Sequence, residues 1–512
     1  MGIENAMTQF KKTFTHRGEA TFDLVIRGGR VVDPETALDA VRNVGIIDGS
    51  IAEVTTRHLV GHREIDASNL VVAPGFIDLH SHGQAVAELR LQALDGVTTA
   101  LELEAGAPAM SLAYRQSADE GRPINFGFSA SWAALRMHVL SGRPSLDGWT
   151  MSDTGTEIGA DYWRAPATKE QTSTLLSLLE KELGDGALGI GILLGYAPAT
   201  DPAEYVQVAR IAAGAGVPTF THARPLVEQD PSVVVDGAEE LTRVAGETGA
   251  HMHYCHMNST STHHLARVQA MVTKVRSEGS RVTSEVYPYG AGMSAIGADY
   301  FHPDRLHVLG ATGTPSDVIY ARTGETVSSV ERLLELRERD PGGWAFIKLF
   351  DEQKSPERLA QVTALPEAVI ASDGVPLVVE AGYGFDPMQW PLPSHVRMHP
   401  RGAGTYSRTL RISVRETETL TLSQALAKCS LYPARIVESA APSMKKKGRL
   451  QAGCDADIVV FDPETVTDNA TYEQSVLPST GFSHVLVHGS PIVSNGELIE
   501  SAMPGRPVRG VR

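Results

Sequence analysis

Cysteine is scarce in this chain: Cys255, Cys429 and Cys454 are the only three among 512 residues. They are too few and too far apart for a disulfide framework or a zinc finger. A reducing compartment fits best, and the cytoplasm is the expected location. Long apolar runs are missing as well, since no stretch of about 18 apolar residues occurs, so a membrane is not an expected partner. The opening segment, MGIENAMTQFKKTFTHRGEA, lacks the apolar core of a secretory signal and reads as a poorly ordered leader over residues 1–20. Basic residues are in the minority: 45 Lys and Arg against 61 Asp and Glu leave a net charge of −16. That balance favours solubility and disfavours nucleic acid as a partner. There is no repeat and no low-complexity tract. No G-x-G-x-x-G opens a helix after the first strand, which counts against a doubly wound nucleotide-binding sheet, the structural alternative to a barrel.

What the chain does have is an ordinary globular composition, 42% hydrophobic and 21% charged. Its length suits one large domain and a smaller one. From Phe22 come short strand patterns, FDLVIRGGRVVD, VRNVGIIDGSIAEV and NLVVAPG, with Gly28-Gly29 and Asp48-Gly49 read as hairpin turns. The same texture returns in DADIVVFDP and FSHVLVHGSPIVSNGEL, where Asn495-Gly496 is another turn signal. Two β-rich ends around an α/β middle predict one small β domain built from both termini, residues 21–73 and 431–512.

The middle, residues 74–430, alternates apolar strand patterns with helical ones. Strand candidates lie at 96–104, 124–130, 186–195, 217–223, 250–256, 281–289 and 368–374. Helical stretches include KEQTSTLLSLLEKEL and DPAEYVQVARIAAGAG, the latter with Asp201 as N-cap, Pro202 at the first helical position and Gly214 or Gly216 as its stop. About eight such units predict parallel strands closed into a (β/α)8 TIM barrel.

That barrel gives the histidines meaning, because catalytic groups sit at the C-terminal ends of its strands. In VVAPGFIDLHSHG, His80 and His82 share one face of an extended segment and can reach one metal ion. Glu102 and Glu104 share a face at the end of the next strand, His222 ends VPTFTH, His256 ends AHMHYCH, and Asp373 ends VIASD. Asp78 reads as a structural hydrogen bonder, and His251, His253, His263 and His264 read as packing or surface residues. Imidazoles with carboxylates suit Zn2+, with other divalent metals open. Such a metal activates water and polarises a carbonyl. Asp373 would take the water's proton and pass it to a leaving nitrogen, which is the chemistry of amide hydrolysis.

With these residues in view, the chain resembles the amidohydrolase superfamily and, within it, the D-aminoacylase (N-acyl-D-amino-acid deacylase) family. The resemblance runs from about Phe22 onward through PGFIDLHSH, GVTT, GALGIGILLGYAPA, THARP, VYPYGAG, ASDG, HPRGAGTYSR and GRLQAGCDADIVVFDP. It implies a TIM barrel with a β-sandwich from both termini. It implies a tightly held zinc on His222 and His256, and a second, weaker position at His80, His82 and Asp373, with Asp373 as general base and acid. Two departures stand out. Where the family has a metal-binding cysteine after GVTT, this chain has Ala105, and Glu104 is expected to replace it, with Glu102 as the fallback. Where the family has a lysine two residues beyond the strand-six histidine, this chain has Asn258; Arg401 and Tyr287 match the family's carboxylate-binding positions. Residues 374–400 look longer than usual and are expected to form a lid or pocket wall.

The resulting expectation is a metal-dependent hydrolase of a C–N bond in a small-molecule amide, an N-acyl (D-)amino acid foremost. A cyclic amide, carbamate or lactone hydrolase is the alternative, and a catalytically silent binding protein a third reading. The sequence does not set the oligomeric state, and a homo-oligomer is compatible with it.

Overall fold

A computed structural model describes residues 22–511 apart from 144 and 147; the leader expected over residues 1–20 lies outside the described residues. Eight parallel strands form the barrel sheet. In chain order they are Phe76–Asp78, Val97–Ala107, Asn125–Ser131, Ile190–Ile192, Pro218–Thr221, His251–Tyr254, Val282–Val286 and Ala368–Ile370. Each strand candidate of the middle region contains one of these or overlaps it.

The helices between them follow the expected chemistry. Helix Pro202–Ala215 starts where Asp201 accepts from the Ala203 N–H at 2.9 Å and stops at Gly216, whose φ is +69°. It buries Tyr205, Val208, Ala209 and Ala212, one face of a 3.6-residue period.

The seam between the first and last barrel strands is closed by side chains as well as backbone. Asp78 accepts from the Ser372 N–H at 2.9 Å and from its hydroxyl, and the Gly374 carbonyl accepts from the His82 and Gly83 N–H groups at 2.7 and 3.0 Å. Burial pushes the Asp78 carboxyl up to about 6. Asp78 thus acts on the seam, as a hydrogen bonder.

The small domain is one nine-stranded sheet drawn from both ends of the chain. Val71–Pro74 pairs antiparallel with Ile458–Phe461, which joins the halves. Its core is Leu24, Ile26, Val44, Ile458, Val460 and Leu486 with their neighbours. Asp48-Gly49 (φ +49° and +74°) and Asn495-Gly496 (+51° and +81°) are tight turns with two left-handed residues, as their sequences demand. Gly28-Gly29 is different. Phe22–Asp33 is one unbroken strand, and the glycines form a bulge between Ile26 and Gly29 in its pairing with Leu38–Ile47. Gly28 takes φ +68°, and its N–H bonds the Asn43 side chain at 2.9 Å. Both flanks pair with the same neighbour, so the extra residue is absorbed as a bend instead of a chain reversal. At the other end of the barrel, continuous helical structure from Leu422 to Val437 crosses the expected boundary after residue 430.

Two features between the seventh and eighth strands and beyond the eighth bear on the site. Ala291–Ala295, Val318–Tyr320, Glu325–Thr326 and Trp344–Lys348 form a separate antiparallel sheet, which sequence periodicity does not reveal. Residues 374–400 lie over helix Val86–Leu94: the Ala87 N–H bonds the Pro387 carbonyl at 3.0 Å, and Arg90 bonds that of Met388 at 2.7 Å. Among the described residues, no helix is long and apolar enough to cross a membrane.

Candidate metal centre

At the C-terminal mouth of the barrel, Glu104 stands between two histidine pairs. Its Oε1 lies 2.7 Å from His256 Nε2 and 3.2 Å from His222 Nδ1; its Oε2 lies 3.2 Å from His80 Nε2 and 3.6 Å from His82 Nε2. Asp373 Oδ1 faces the second pair, 3.4 Å from His80 Nε2 and 3.5 Å from His82 Nε2. Five of the six side chains are buried, and His82 is nearly so, its side chain 9% exposed. His256 and Asp373 are held at φ +30° and +51°, a region that residues with a Cβ seldom adopt and that concentrates at functional sites.

Each histidine turns one ring nitrogen inward and bonds the other outward. His80 Nδ1 meets Glu285 Oε1, and His82 Nδ1 meets Glu102 Oε2 at 2.6 Å. His222 Nε2 meets Tyr300 Oη at 3.1 Å, and His256 Nδ1 meets Ser259 Oγ at 3.2 Å. The inward nitrogens of His80 and His82 lie 3.0 Å apart. The spacing is close to the ~3.3 Å edge between ligands of one tetrahedral zinc ion with bonds near 2.0–2.1 Å, so the donor set fits a metal.

Electrostatics agree. Burial opposes ionisation of Glu104, yet His80, His256 and His222 outweigh it and hold its carboxyl well below the usual range. Burial likewise opposes charge on His80 and His82. Glu104 and Glu285 around His80, and Glu102 and Asp373 around His82, raise both rings well above the ordinary histidine value. In His222 burial dominates and lowers it.

Glu102 is spoken for. Besides His82, it accepts from the Ala105 and Gly106 N–H groups at 3.1 and 3.2 Å, so it orients a histidine from behind. Arg401 is fully buried against Asp373, and its guanidinium carbon lies 4.7 Å from the Tyr287 ring centre. Asn258 spends both ends of its amide on the Tyr287 backbone, at 3.2 and 3.3 Å, and does not border the cavity. That cavity opens from His82, Glu104, His222, His256 and Asp373, with Tyr287 at its edge, toward a wall of Met293, Phe301, Leu309, Trp344, Ile347 and Leu349. Its lining contains no lysine or arginine among the described residues. The wall comes from the inserted sheet and its loops. None of residues 374–400 lines it: Pro387 and Met388 lie on helix Val86–Leu94, and Val375 and Val378 pack behind the inserted sheet with Met293 and Phe346.

Glu285, Tyr300, Ser259 and His253 escape the sequence reading. Glu285 had a signal: it is the one acid in VTSEV, a strand buried on both faces. His253, expected to be packing or surface, lies in the barrel interior, 2.9 Å from Glu285 Oε2.

Comparison with known proteins agrees with this fold. A model of the amidohydrolase family matches residues 71–492. An N-acyl-D-glutamate deacylase of Alcaligenes xylosoxydans xylosoxydans is 28% identical, over 95% of this chain and 96% of its own. A D-aminoacylase of the same organism is 27% identical, over 92% and 94%. The crystal structure of a Bordetella bronchiseptica N-acyl-D-glutamate deacylase, with zinc and a phosphonate mimic of the tetrahedral intermediate, superposes with a TM-score of 0.73 at 24% identity, covering 96% of this chain and all of the other.

Proposed function

Since the chain belongs to the amidohydrolase family, we propose that it hydrolyses the C–N bond of an N-acyl amino acid, of D configuration, with a divalent metal, zinc foremost. The observation that carries this is the convergence of four imidazole nitrogens on the single carboxylate of Glu104, with Asp373 facing two of them. His222, His256 and Glu104 would hold the tighter ion. His80, His82 and Asp373, with the second oxygen of Glu104, would form a weaker position beside it. When bound, the metal supplies Lewis acidity for the carbonyl and lowers the pKa of the attacking water.

The chain's own groups do the rest. Asp373 accepts the proton of the attacking water and returns it to the departing nitrogen. Arg401 keeps that carboxylate ionised and aimed. Tyr287 stands at the cavity edge, where the substrate carboxylate would sit; Arg401, buried against its ring and paired with Asp373, lends that end positive charge without bordering the cavity, and Asn258 serves it indirectly by pinning the Tyr287 backbone. The apolar wall takes the acyl group or the amino-acid side chain and excludes water from the scissile bond. With no lysine or arginine among the described lining residues, it favours apolar side chains over acidic ones. The chain's three cysteines, all free and buried, suit a reducing compartment, and this reading takes the cytoplasm as its location.

The test is amine release by the purified, metal-analysed protein from a panel of N-acetyl D- and L-amino acids. The reading predicts bound divalent metal and turnover of D substrates with apolar side chains. No amine from any member would refute it.

A further inference from the structure

Behind His80 lies a file of polar side chains that the proposed chemistry does not use. It runs along the sixth and seventh barrel strands, inside the barrel, from the metal centre toward the opposite end. His253 and Thr283 are register partners across this strand pair. His251 and His253 share a strand face, as do Arg281, Thr283 and Glu285. The contacts are continuous. Arg281 Nη2 lies 3.4 Å from His251 Nδ1, and His251 Nε2 lies 2.9 Å from Thr283 Oγ1. Thr283 Oγ1 lies 2.9 Å from His253 Nδ1, and His253 Nε2 lies 2.9 Å from Glu285 Oε2. The other oxygen of Glu285 meets His80 Nδ1 and accepts the His256 N–H at 3.2 Å.

We propose that Glu285, and the string Arg281–His251–Thr283–His253 behind it, position the His80 imidazole and fix which of its nitrogens faces the metal.

Hydrogen-bond direction carries the argument. A guanidinium can only donate. His251 Nδ1 must therefore accept from Arg281, which puts the His251 proton on Nε2. Thr283 Oγ1 accepts that proton's bond and gives its own hydrogen to His253 Nδ1. His253 then carries its proton on Nε2 and donates to Glu285. Glu285 is left with an acceptor oxygen for His80 Nδ1–H, and His80 Nε2 is left with a free lone pair toward the centre. With neutral rings and an ionised Glu285 each ring has one consistent tautomer, because turning His253 round would set its bare Nε2 against the Glu285 carboxylate. Burial, and then Arg281, pushes His251 down to about 3, in keeping with a neutral ring in this role. Glu285 also ties the two halves of the site, because one oxygen serves both the His80 ring and the backbone of His256, which is held at positive φ. The inference rests on His80 being a metal ligand; a carboxylate behind a ligating histidine raises its basicity and fixes its orientation.

The test is zinc affinity of the metal-depleted full chain, by chelator competition, with thermal unfolding of the same metal-free samples. Thr283→Val keeps the shape and loses only the hydroxyl; Thr283→Ser keeps the hydroxyl and loses a methyl group. The string predicts that Val weakens zinc binding about tenfold, that Ser stays close to the parent, and that Glu285→Gln weakens it about 10- to 100-fold. Simple packing predicts the reverse order for Val and Ser. Valine binding as tightly as the parent, or serine losing as much as valine, overturns the proposal. Should the Thr283→Val protein not fold, Glu285→Gln against the parent decides. A parent chain that binds no zinc refutes the proposed function itself, which separates the two failures.

Discussion

Arg401 grips Asp373 twice: its Nη2 lies 2.8 Å from the Asp373 carboxylate, and its Nε donates to the Asp373 carbonyl at 2.6 Å. Asp373 is thereby fixed in backbone and side chain at once, at a φ of +51°. Burial alone would raise its carboxyl; Arg401, then His80, reverse that and hold it below the ordinary value. An aspartate so held is ionised, and able to take a proton, down to low pH.

Replacing Arg401 with Gln removes the main opposing charge, so the Asp373 pKa rises. The base is then protonated at higher pH, and the acid limb of kcat/KM moves upward. The loss at neutral pH is expected to be up to about 10²-fold, the lower end of what a positioned general base contributes. A pH–rate profile with an unmoved acid limb would show that Arg401 does not set the state of Asp373.

Glu104→Gln and Glu102→Gln separate the two strand-two acids. Glu104 touches all four histidines, whereas Glu102 touches His82 alone. Glu104→Gln should lose most of its metal after dialysis, with activity falling in parallel. Glu102→Gln should lower affinity about tenfold or less. Undiminished metal in Glu104→Gln, by elemental analysis, would remove Glu104 from the centre.

Gly195 sits under the site. A methyl group there would come within 2.4 Å of Tyr300 Oη and 2.5 Å of His222 Cδ2. Gly195→Ala should therefore displace His222, cost about 1–3 kcal/mol of stability as an overpacked position, and lower metal affinity. Denaturant unfolding and chelator competition read the two effects. A variant equal to the parent in both would mean that this wall yields freely.

Glu88 gives a pH signature of stability from a carboxyl outside the metal-binding set. It accepts from the Ala85 and Leu377 N–H groups, and burial pushes its carboxyl up to about 7. A folded-state pKa raised above the unfolded value means stability present at low pH and lost as pH rises. The parent should thus lose stability relative to Glu88→Gln between about pH 4.5 and 7, by about 3 kcal/mol at full ionisation. A flat difference curve in urea unfolding would show that Glu88 is not strained by its charge.

Much of the site is legible in the sequence because barrel architecture makes it so. Strand ends face the mouth, so His80, His82, His222, His256 and Asp373 converge once the strands are recognised. The D–G and N–G turns read correctly because two left-handed residues in a row leave few other conformations. What escapes depends on contacts between distant segments. Gly28-Gly29 looks like a turn until its partner strand shows that both flanks pair with it. Residues 374–400 look like a wall until they are seen on helix Val86–Leu94, while the wall itself comes from short inserted strands with weak periodicity. His251 and His253 look like packing because only the neighbouring strand supplies Thr283 and Glu285.

The most direct test of the account is zinc titration of metal-depleted protein while amine release from N-acetyl-D-leucine is followed, for the parent and for Asp373→Asn. The account predicts activity that appears only as zinc is added, and an Asp373→Asn protein that still takes up zinc on His222, His256 and Glu104 while its turnover falls by at least about 10². Amine release that survives full metal depletion, or an Asp373→Asn protein that turns over as fast as the parent, would contradict it.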